Sequence, residues 1–227
     1  MASSLVISVG GSIIVPAGGI DAAYVKKFRS FILNQVKTGK KFYLVIGGGT
    51  TAREYLRAAA TIANFGQAAG DWLGISATRL NAQFIKTIFG RLTHSEVIID
   101  PTKKIKTSKS IVIVAGYKPG WSTDYCAALI AKANHAKTII NLSNIDYAYD
   151  RDPRKYPEAK KLKQVTWPEF RKIVGNVWRP GLNAPFDPIA SRLAAKLKMK
   201  VIIANGHNLN NLSACLNGKK FKGTVID

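Results

Sequence analysis

Short apolar runs alternate along the chain with longer stretches in which apolar residues recur every third or fourth position. Leu5–Val9 is one such run and is closed by Gly10-Gly11-Ser12. Tyr43–Ile46 is closed by Gly47-Gly48-Gly49, and Ile111–Ala115 by Gly116. Val97–Ile99, Thr138–Leu142, Val201–Ile203 and Thr224–Ile226 are similar. Brief apolar runs bounded by turn residues predict strands, those of a parallel sheet being buried on both faces. Between them, Asp21 can cap a helix from about Ala22 to Thr38, with Val25, Phe28, Phe31, Ile32 and Val36 on one face and Gly39 as its stop. Asp71 to Leu92 repeats Leu73, Ala77, Leu80, Phe84, Ile88 and Leu92 at helical intervals. Further helices are predicted from Thr123 or Asp124 to about Asn134, over Trp167–Val174, from Asp187-Pro188 to Lys198, and over Leu209–Leu216. Asp150–Gln164, polar and basic with Pro153 and Pro157, reads as a surface excursion, and Gly175–Pro185 as a loop. Strands alternating with helices predict an α/β protein, its mostly parallel sheet covered on both faces. Ligands of such sheets bind beyond the carboxyl ends of the strands.

Three predicted strands end in glycine loops, at Gly10-Gly11, Gly47-Gly48-Gly49 and Gly116 to Gly120. Glycine lets the backbone approach an anion closely, and a following helix turns its positive end to the same spot. Thr51-Ala52-Arg53-Glu54 fits a capping box, which puts Arg53 in the first turn of a helix. A cation there opposes the helix dipole unless an anion compensates it. Phosphate binding and a plain strand–helix turn with a solvated arginine both fit that stretch.

Composition narrows the chemistry. The 227 residues are 47% hydrophobic, enough for one large domain or two lobes sharing a sheet. Lysine and arginine total 34 against 13 acidic residues, a net charge of +21 that draws polyanions. The lysines are scattered, however, and the densest cluster, Lys103-Lys104-Ile105-Lys106 with Lys109, has no interleaved aromatics. The excess therefore reads mainly as solvated surface, with RNA binding as the lesser reading. Cys126 and Cys215 are far apart and fit no metal spacing; Cys126 falls in an apolar helical run, as a packed thiol would, and the usage suits a reducing, cytoplasmic setting. No apolar run approaches the ~20 residues of a membrane span, and Leu5–Val9 is too short for a signal-peptide core, so a soluble, unprocessed protein is expected. P-loop, dinucleotide-fold and nucleophile-elbow patterns are absent from the sequence, and His94, His135 and His207 stand isolated. Anion handling by backbone amides remains. Phosphoryl transfer needs little more than two substrates held in line with the moving charge neutralised.

Several motifs occur in a family's order: Ser8-Val9-Gly10-Gly11-Ser12, Ile46-Gly47-Gly48-Gly49 to Arg53, Gly74-Ile75-Ser76-Ala77-Thr78-Arg79-Leu80-Asn81-Ala82, Pro119-Gly120-Trp121-Ser122-Thr123-Asp124, Asn144-Ile145-Asp146 to Tyr149, and Asp152-Pro153. Over about residues 5–204 the chain resembles uridylate kinases of the amino acid kinase family, and Ile13-Ile14-Val15-Pro16 resembles the archaeal-type branch. The resemblance implies an α/β/α sandwich, a homohexamer, and transfer of the ATP γ-phosphate to UMP with Mg²⁺. It implies one domain over 1–227, with residues 1–135 mainly forming the acceptor site and 136–227 mainly the ATP site. Ser8, Val9, Gly10, Gly11, Ser12, Gly49 and Arg53 would hold the ATP phosphates, and Ser143, Asn144, Tyr149 and Asp152 its adenosine side. Gly48, Asp71 and the loop Tyr117, Lys118, Pro119, Gly120, Trp121, Ser122, Thr123 would hold UMP. Arg53, Gly11 and Asn144 would surround the transferring group.

Read as residues, these assignments have competitors. Asp71 can accept from a ribose hydroxyl or cap the 71–92 helix. Thr123 suits ligand contact and Asp124 capping. Tyr149 can lie on a purine or pack, Trp121 can cover a base, and Asp152-Pro153 can be a turn. The chain also departs from the family. Ile7-Ser8-Val9 lacks the first-strand lysine of many members, and Ser8 stands where the archaeal branch has Asp. Leu182-Asn183-Ala184-Pro185 lacks a later lysine, and Tyr117-Lys118 and Trp121 replace Thr-His and His. Arg53, one of Lys160, Lys161 and Lys163, or Mg²⁺ alone would then neutralise the phosphoryl group. A kinase with a different small acceptor, or a non-catalytic nucleotide- or RNA-binding regulator, are the other readings.

Overall fold

The predicted apolar runs lie side by side. The computed structural model describes residues 4–177 and 184–227. Strand β1 (Ser4–Val9) runs between β2 (Lys41–Ile46) and β4 (Thr138–Ser143), parallel to both. Strand β3 (Ile111–Val114) extends the sheet beyond β2, and β8 (Lys200–Asn205) beyond β4, again in parallel. Strand β9 (Thr224–Ile226) pairs antiparallel with β8, and β7 (Gln164–Val165) pairs parallel with β9. The seven-stranded order is β3-β2-β1-β4-β8-β9-β7. Strands β5 (Ala148–Tyr149) and β6 (Lys161–Leu162) form a separate antiparallel pair.

Alternate residues of the central strands feed two cores, as the period of two requires. Val6, Tyr43, Val45, Val112 and Val114 face helices α5 (Thr123–Ala133), α6 (Trp167–Val174) and α7 (Pro188–Lys196). Ile7, Val9, Phe42, Leu44, Ile46 and Ile113 face α1 (Gly11–Ile14), α2 (Ala22–Lys37), α4 (Gln67–Phe89) and α8 (Leu209–Leu216). Helix α3 (Gly49–Ile62) packs on α4. The result is the expected three-layer α/β/α arrangement.

Several boundaries differ from the sequence expectation. Val97–Ile99 is no strand: Ile98 makes a single bridge to Val114, and the Asp100 carboxylate, accepting from the Thr102 amide at 3.0 Å, turns the chain away. Helix α4 begins four residues before Asp71 and stops at Gly90, whose φ of +57° starts a 3₁₀ turn to Leu92. Helix α7 ends at Lys196, since Lys198 takes a left-handed φ of +50°. The 150–164 excursion contributes β6 and, at its end, part of β7, because Thr224 Oγ1 donates to the Leu162 carbonyl and binds that segment to β9. Of the predicted 175–185 loop, residues 178–183 lie outside the described residues, and with them Leu182 and Asn183.

The carboxyl ends of the parallel strands are level: Val9 pairs with Ile46 and Leu142, Val45 with Val114, and Ser143 with Asn205. The loops that follow β1, β2, β3, β4 and β8 therefore share one edge. Sheet order reverses at β1, flanked by β2 on one side and β4 on the other, which is where open α/β sheets hold ligands.

Candidate active site

The first two glycine loops touch through their backbones. Gly47 N donates to Val9 O at 3.0 Å and Thr50 N to Val15 O at 3.0 Å. A Cβ on Gly11 would sit 1.9 Å from Gly49 N, and one on Gly49 would sit 2.5 Å from Gly11 O, so neither position admits a side chain. Gly49 also takes a φ of +62°. Helix α3 starts there, with Gly48 as N-cap. The predicted capping box at Thr51 to Glu54 is therefore absent, because Thr51 already lies inside the helix. Arg53 falls in the second turn rather than the first. Its exposed guanidinium spans both loops, donating from Nη2 to Thr50 Oγ1 at 2.7 Å and from Nη1 to Ser12 Oγ at 3.3 Å. A helix N-terminus and a cation that reaches across to Ser12 thus meet at one place, chemistry that suits an anion.

The third loop is held by α4. Gly116 N donates to Thr78 Oγ1 at 2.8 Å, and Arg79 donates to the carbonyls of Gly116 at 3.3 Å and Tyr117 at 2.9 Å. Gly120 N donates to Asp71 Oδ2 at 2.7 Å. From the same helix, Asn81 Nδ2 donates to the carbonyls of Gly47 at 2.9 Å and Gly48 at 3.0 Å. The three loops are thus joined, the first two by direct contact and the second and third through α4. Asp71 is an interior residue of α4, not its cap; Gly66 occupies that position without a side-chain bond. Gly120 N takes one carboxylate oxygen of Asp71, Oδ2.

Ser122, not Thr123 or Asp124, caps α5, accepting from Tyr125 N at 3.0 Å. Its hydroxyl also donates to Asp187 Oδ2. Thr123 becomes the first helical residue, half-buried. Asp124 is displaced from capping to the underside of the first loop, where it accepts from Ser8 Oγ at 3.0 Å and from Asp187 N at 3.3 Å. Burial, reinforced by the Asp187 charge, pushes the Asp124 carboxyl up to about 7 against the opposing Ser8 bond. Burial also raises Asp187, opposed by Ser122 and by the amides of Ala190 and Ile189 that it caps. Ser8 and Val9 are buried and shape the loop from below: Val9 O receives Gly47 N, and Gly10 N donates to Leu142 O at 2.8 Å.

Around the third loop, the Trp121 ring meets Tyr117 and Tyr125 edge-on, at 5.3 and 4.9 Å between centroids, and Lys118 Nζ lies 4.4 Å from the Trp121 centroid. Pro119 precedes Gly120, whose φ is +80°. Beyond β4, Ser143 Oγ accepts from Ile145 N at 3.4 Å and Asn144 is exposed. Tyr149 pairs with Lys161 across β5 and β6. Asp152 forms the alternative turn, its carbonyl receiving Lys155 N at 3.0 Å and Tyr156 N at 2.9 Å. Hydrogen bonds and charge from Arg154 hold the Asp152 carboxyl below its usual range. Burial pushes the Cys126 thiol up to about 12, as expected of a packed cysteine.

Thr78, Arg79 and Asn81 stood in a family motif but received no role from sequence, and Asp187, the expected cap of α7, also takes the Ser122 hydroxyl. The available signal was polar residues three apart, Thr78 and Asn81, on a helical face otherwise made of Ala77, Ala82 and Ile85; both are buried. Among the described residues, no group of three or more His, Cys, Asp or Glu could hold a metal, and no helix is long and apolar enough to cross a membrane.

Comparison with known proteins agrees with this geometry. The sequence profile of the amino acid kinase family matches residues 3–205. The chain is 31% identical over 227 residues to the uridylate kinase of Methanobrevibacter smithii, covering 98% of each. It is 34% identical over 203 residues to that of Sulfurisphaera tokodaii, covering 88% of this chain and 89% of the relative. The crystal structure of uridylate kinase from Archaeoglobus fulgidus superposes with a TM-score of 0.83 at 28% identity, over 98% of this chain and 99% of that one. With its glycine loops joined at one sheet edge and this likeness along nearly its whole length, the chain belongs to the amino acid kinase family.

Proposed function

We propose that the chain transfers the γ-phosphoryl group of ATP to UMP, giving UDP and ADP. The observation that carries the reading is the backbone contact of Gly11 with Gly49, bridged by Arg53 and joined through α4 to the Asp71–Gly120 loop. Gly10, Gly11, Ser12, Gly49 and Arg53 take the ATP phosphates, and Ser143, Asn144, Tyr149 and Asp152 the adenosine side. Gly48, Asp71 and Tyr117 to Thr123 take UMP, with Asp71 Oδ1 accepting from the ribose. Residues 1–135 then serve mainly the acceptor and 136–227 mainly ATP.

With two nucleotides so held, the protein's work is alignment and charge stabilisation. Arg53 supplies the cation, and the Gly11 amide and Asn144 are the other groups assigned to the transferring phosphoryl. Mg²⁺ arrives with ATP. Held mainly by phosphate oxygens and water, it would need no multi-residue metal cluster, and none is found among the described residues. Once bound it neutralises phosphate charge. The exposed Tyr55, Ile62, Trp72 and Leu80 on α3 and α4 support a homo-oligomer, a hexamer by family resemblance.

A coupled ADP-release assay with UMP, CMP, dTMP and no acceptor tests the reading. Turnover is expected with UMP well above the others. Turnover only with another acceptor, or none with any, overturns it.

A further inference from the structure

Lysines that lie scattered along the sequence are gathered by the sheet. The amino ends of the parallel strands are level, as their carboxyl ends are: Ser4 pairs with Lys41, Phe42 with Ile111, Val6 with Ile139 and Thr138 with Lys200. Lys41 opens β2 and Lys200 opens β8, while Lys109 and Lys137 lie just before β3 and β4. Lys104 and Lys106 join them from the irregular segment that leads to β3. Lys41, Lys104 and Lys109 line a hollow of about 470 Å³ there. We propose that this edge of the sheet, opposite the glycine loops, binds the phosphate backbone of a double-stranded nucleic acid.

The backbone beneath these lysines is fixed. Asn134 Oδ1 accepts from Tyr43 Oη at 3.0 Å and from Ile105 N at 3.0 Å, which ties the segment of Lys104 and Lys106 to β2 and to the end of α5. Phe42 N donates to Ser110 O at 2.8 Å, and Lys200 N to Lys137 O at 2.9 Å. Lys103 and Lys200 meet carboxylates, Asp100 at 3.5 Å and Asp227 at 3.9 Å. Lys41, Lys104, Lys106, Lys109 and Lys137 form no salt bridge with a described residue, and none of the residues lining the hollow is acidic. Like charges gathered this way repel one another, and a polyanion relieves the repulsion.

Lysine also guards sheets against stray pairing, but it does so along edge strands. Strands β2 and β4 lie inside the sheet, so that purpose does not place Lys41 and Lys137. From β3 to β8 the row crosses four strand spacings of ~4.8 Å, roughly 19 Å. A duplex carries one phosphate per ~1.7 Å of its axis, so several phosphates meet the row at once. Single strands are gripped by stacking their bases on open rings. The rings lining the hollow, Phe42 and Tyr43, are buried, which favours a duplex. Ammonium contacts to phosphate read no base edge, so binding is independent of sequence. The glycine loops lie at the other end of the same strands, so a duplex here leaves the nucleotide sites open.

Fluorescence anisotropy of a labelled short duplex of arbitrary sequence, titrated with the full chain between about 50 and 200 mM salt, tests the edge. The logarithm of affinity should fall with the logarithm of salt at a slope of about −4 or steeper. K41Q/K104Q/K137Q should bind about tenfold or more weakly, with a slope shallower by about 2 to 3. K104Q/K106Q alters no strand or helix and should make the slope shallower by about 2, which keeps the test decisive if the triple variant folds poorly. K26Q/K27Q/R57Q removes the same charge from α2 and α3 and should keep the slope. No binding of the duplex, or a control variant that weakens it as much as the edge variants do, overturns the proposal. So does displacement of the duplex by saturating ATP and UMP, which would put it in the glycine loops. Tighter binding of a single strand, of poly-aspartate or of anionic vesicles than of the duplex overturns it as well. Anisotropy needs no turnover, so failure of the UMP assignment would be visible separately.

Discussion

Asp124→Asn isolates the least comfortable group in the site. The wild-type carboxyl moves from its usual 3.8 to about 7 because burial disfavours the anion, and no cation offsets it among its described partners. A raised carboxyl binds its proton more tightly in the folded chain than in the unfolded one. Stability is therefore undiminished below about pH 4, falls as pH rises towards 7, and levels off above it, at ~1.4 kcal/mol per unit. The full span is about 4 kcal/mol, of which about 3 lies between pH 5 and pH 8. Asparagine cannot ionise, and its carbonyl keeps only part of the acceptance from Ser8 Oγ and Asp187 N, at a cost of about 1 kcal/mol. Urea unfolding followed by tryptophan fluorescence should find the variant about level with the wild type or slightly weaker at pH 5. At pH 8 it should be the more stable by about 3 kcal/mol. A difference between the two proteins that stays constant from pH 5 to 8 would refute the raised carboxyl and the burial that causes it.

Arg53→Ala should lower kcat by about a hundredfold or more while leaving the melting temperature nearly unchanged, since the guanidinium is exposed; unaltered kinetics would remove it from the phosphate cradle. Asp71→Asn keeps an oxygen for Gly120 N but replaces the other with a donor, so KM for UMP should rise about tenfold and KM for ATP much less; equal rises would sink the ribose assignment. Gly11→Ala drives a Cβ to 1.9 Å from Gly49 N, with only backbone to yield, and should cost about 3 kcal/mol in thermal unfolding. An unchanged melting curve would mean that the two loops are not in contact.

The sheet and its layers were legible because strand and helix periods are local properties of the chain. Leu209–Leu216 and Thr224–Ile226 lie where the apolar pattern puts them. The glycine loops were legible too, as chain breaks at the ends of apolar runs. Helix caps were legible only in part: Asp21 and Asp187 cap as expected, and three other polar residues do not. Asp71 and Asp124 each look like a cap one turn at a time and are overruled by partners far along the chain, Gly120 and Ser8, whereas Thr51 is overruled locally because α3 already starts at Gly49. Ile98 illustrates the same point for strands, because neighbouring turn chemistry at Asp100 ended a pairing that its apolar run favoured. Thr78 and Asn81 were hidden for a related reason: a buried polar side chain acquires its meaning only from the carbonyl or amide it meets.

Helix α4 works as a beam with a load on each side. Its inner face grips the loops after β2 and β3, while Leu80 and Trp72 stand outside, and the Arg79 guanidinium that holds Tyr117 lies 5.6 Å from the Trp72 ring centre. A neighbouring subunit pressing on that outer face would tilt both loops in a single stroke. Were the chain to assemble through that face, subunit contact and loop geometry would be geared through one rod, and a substitution at Leu80 would be felt at the loops on the other side.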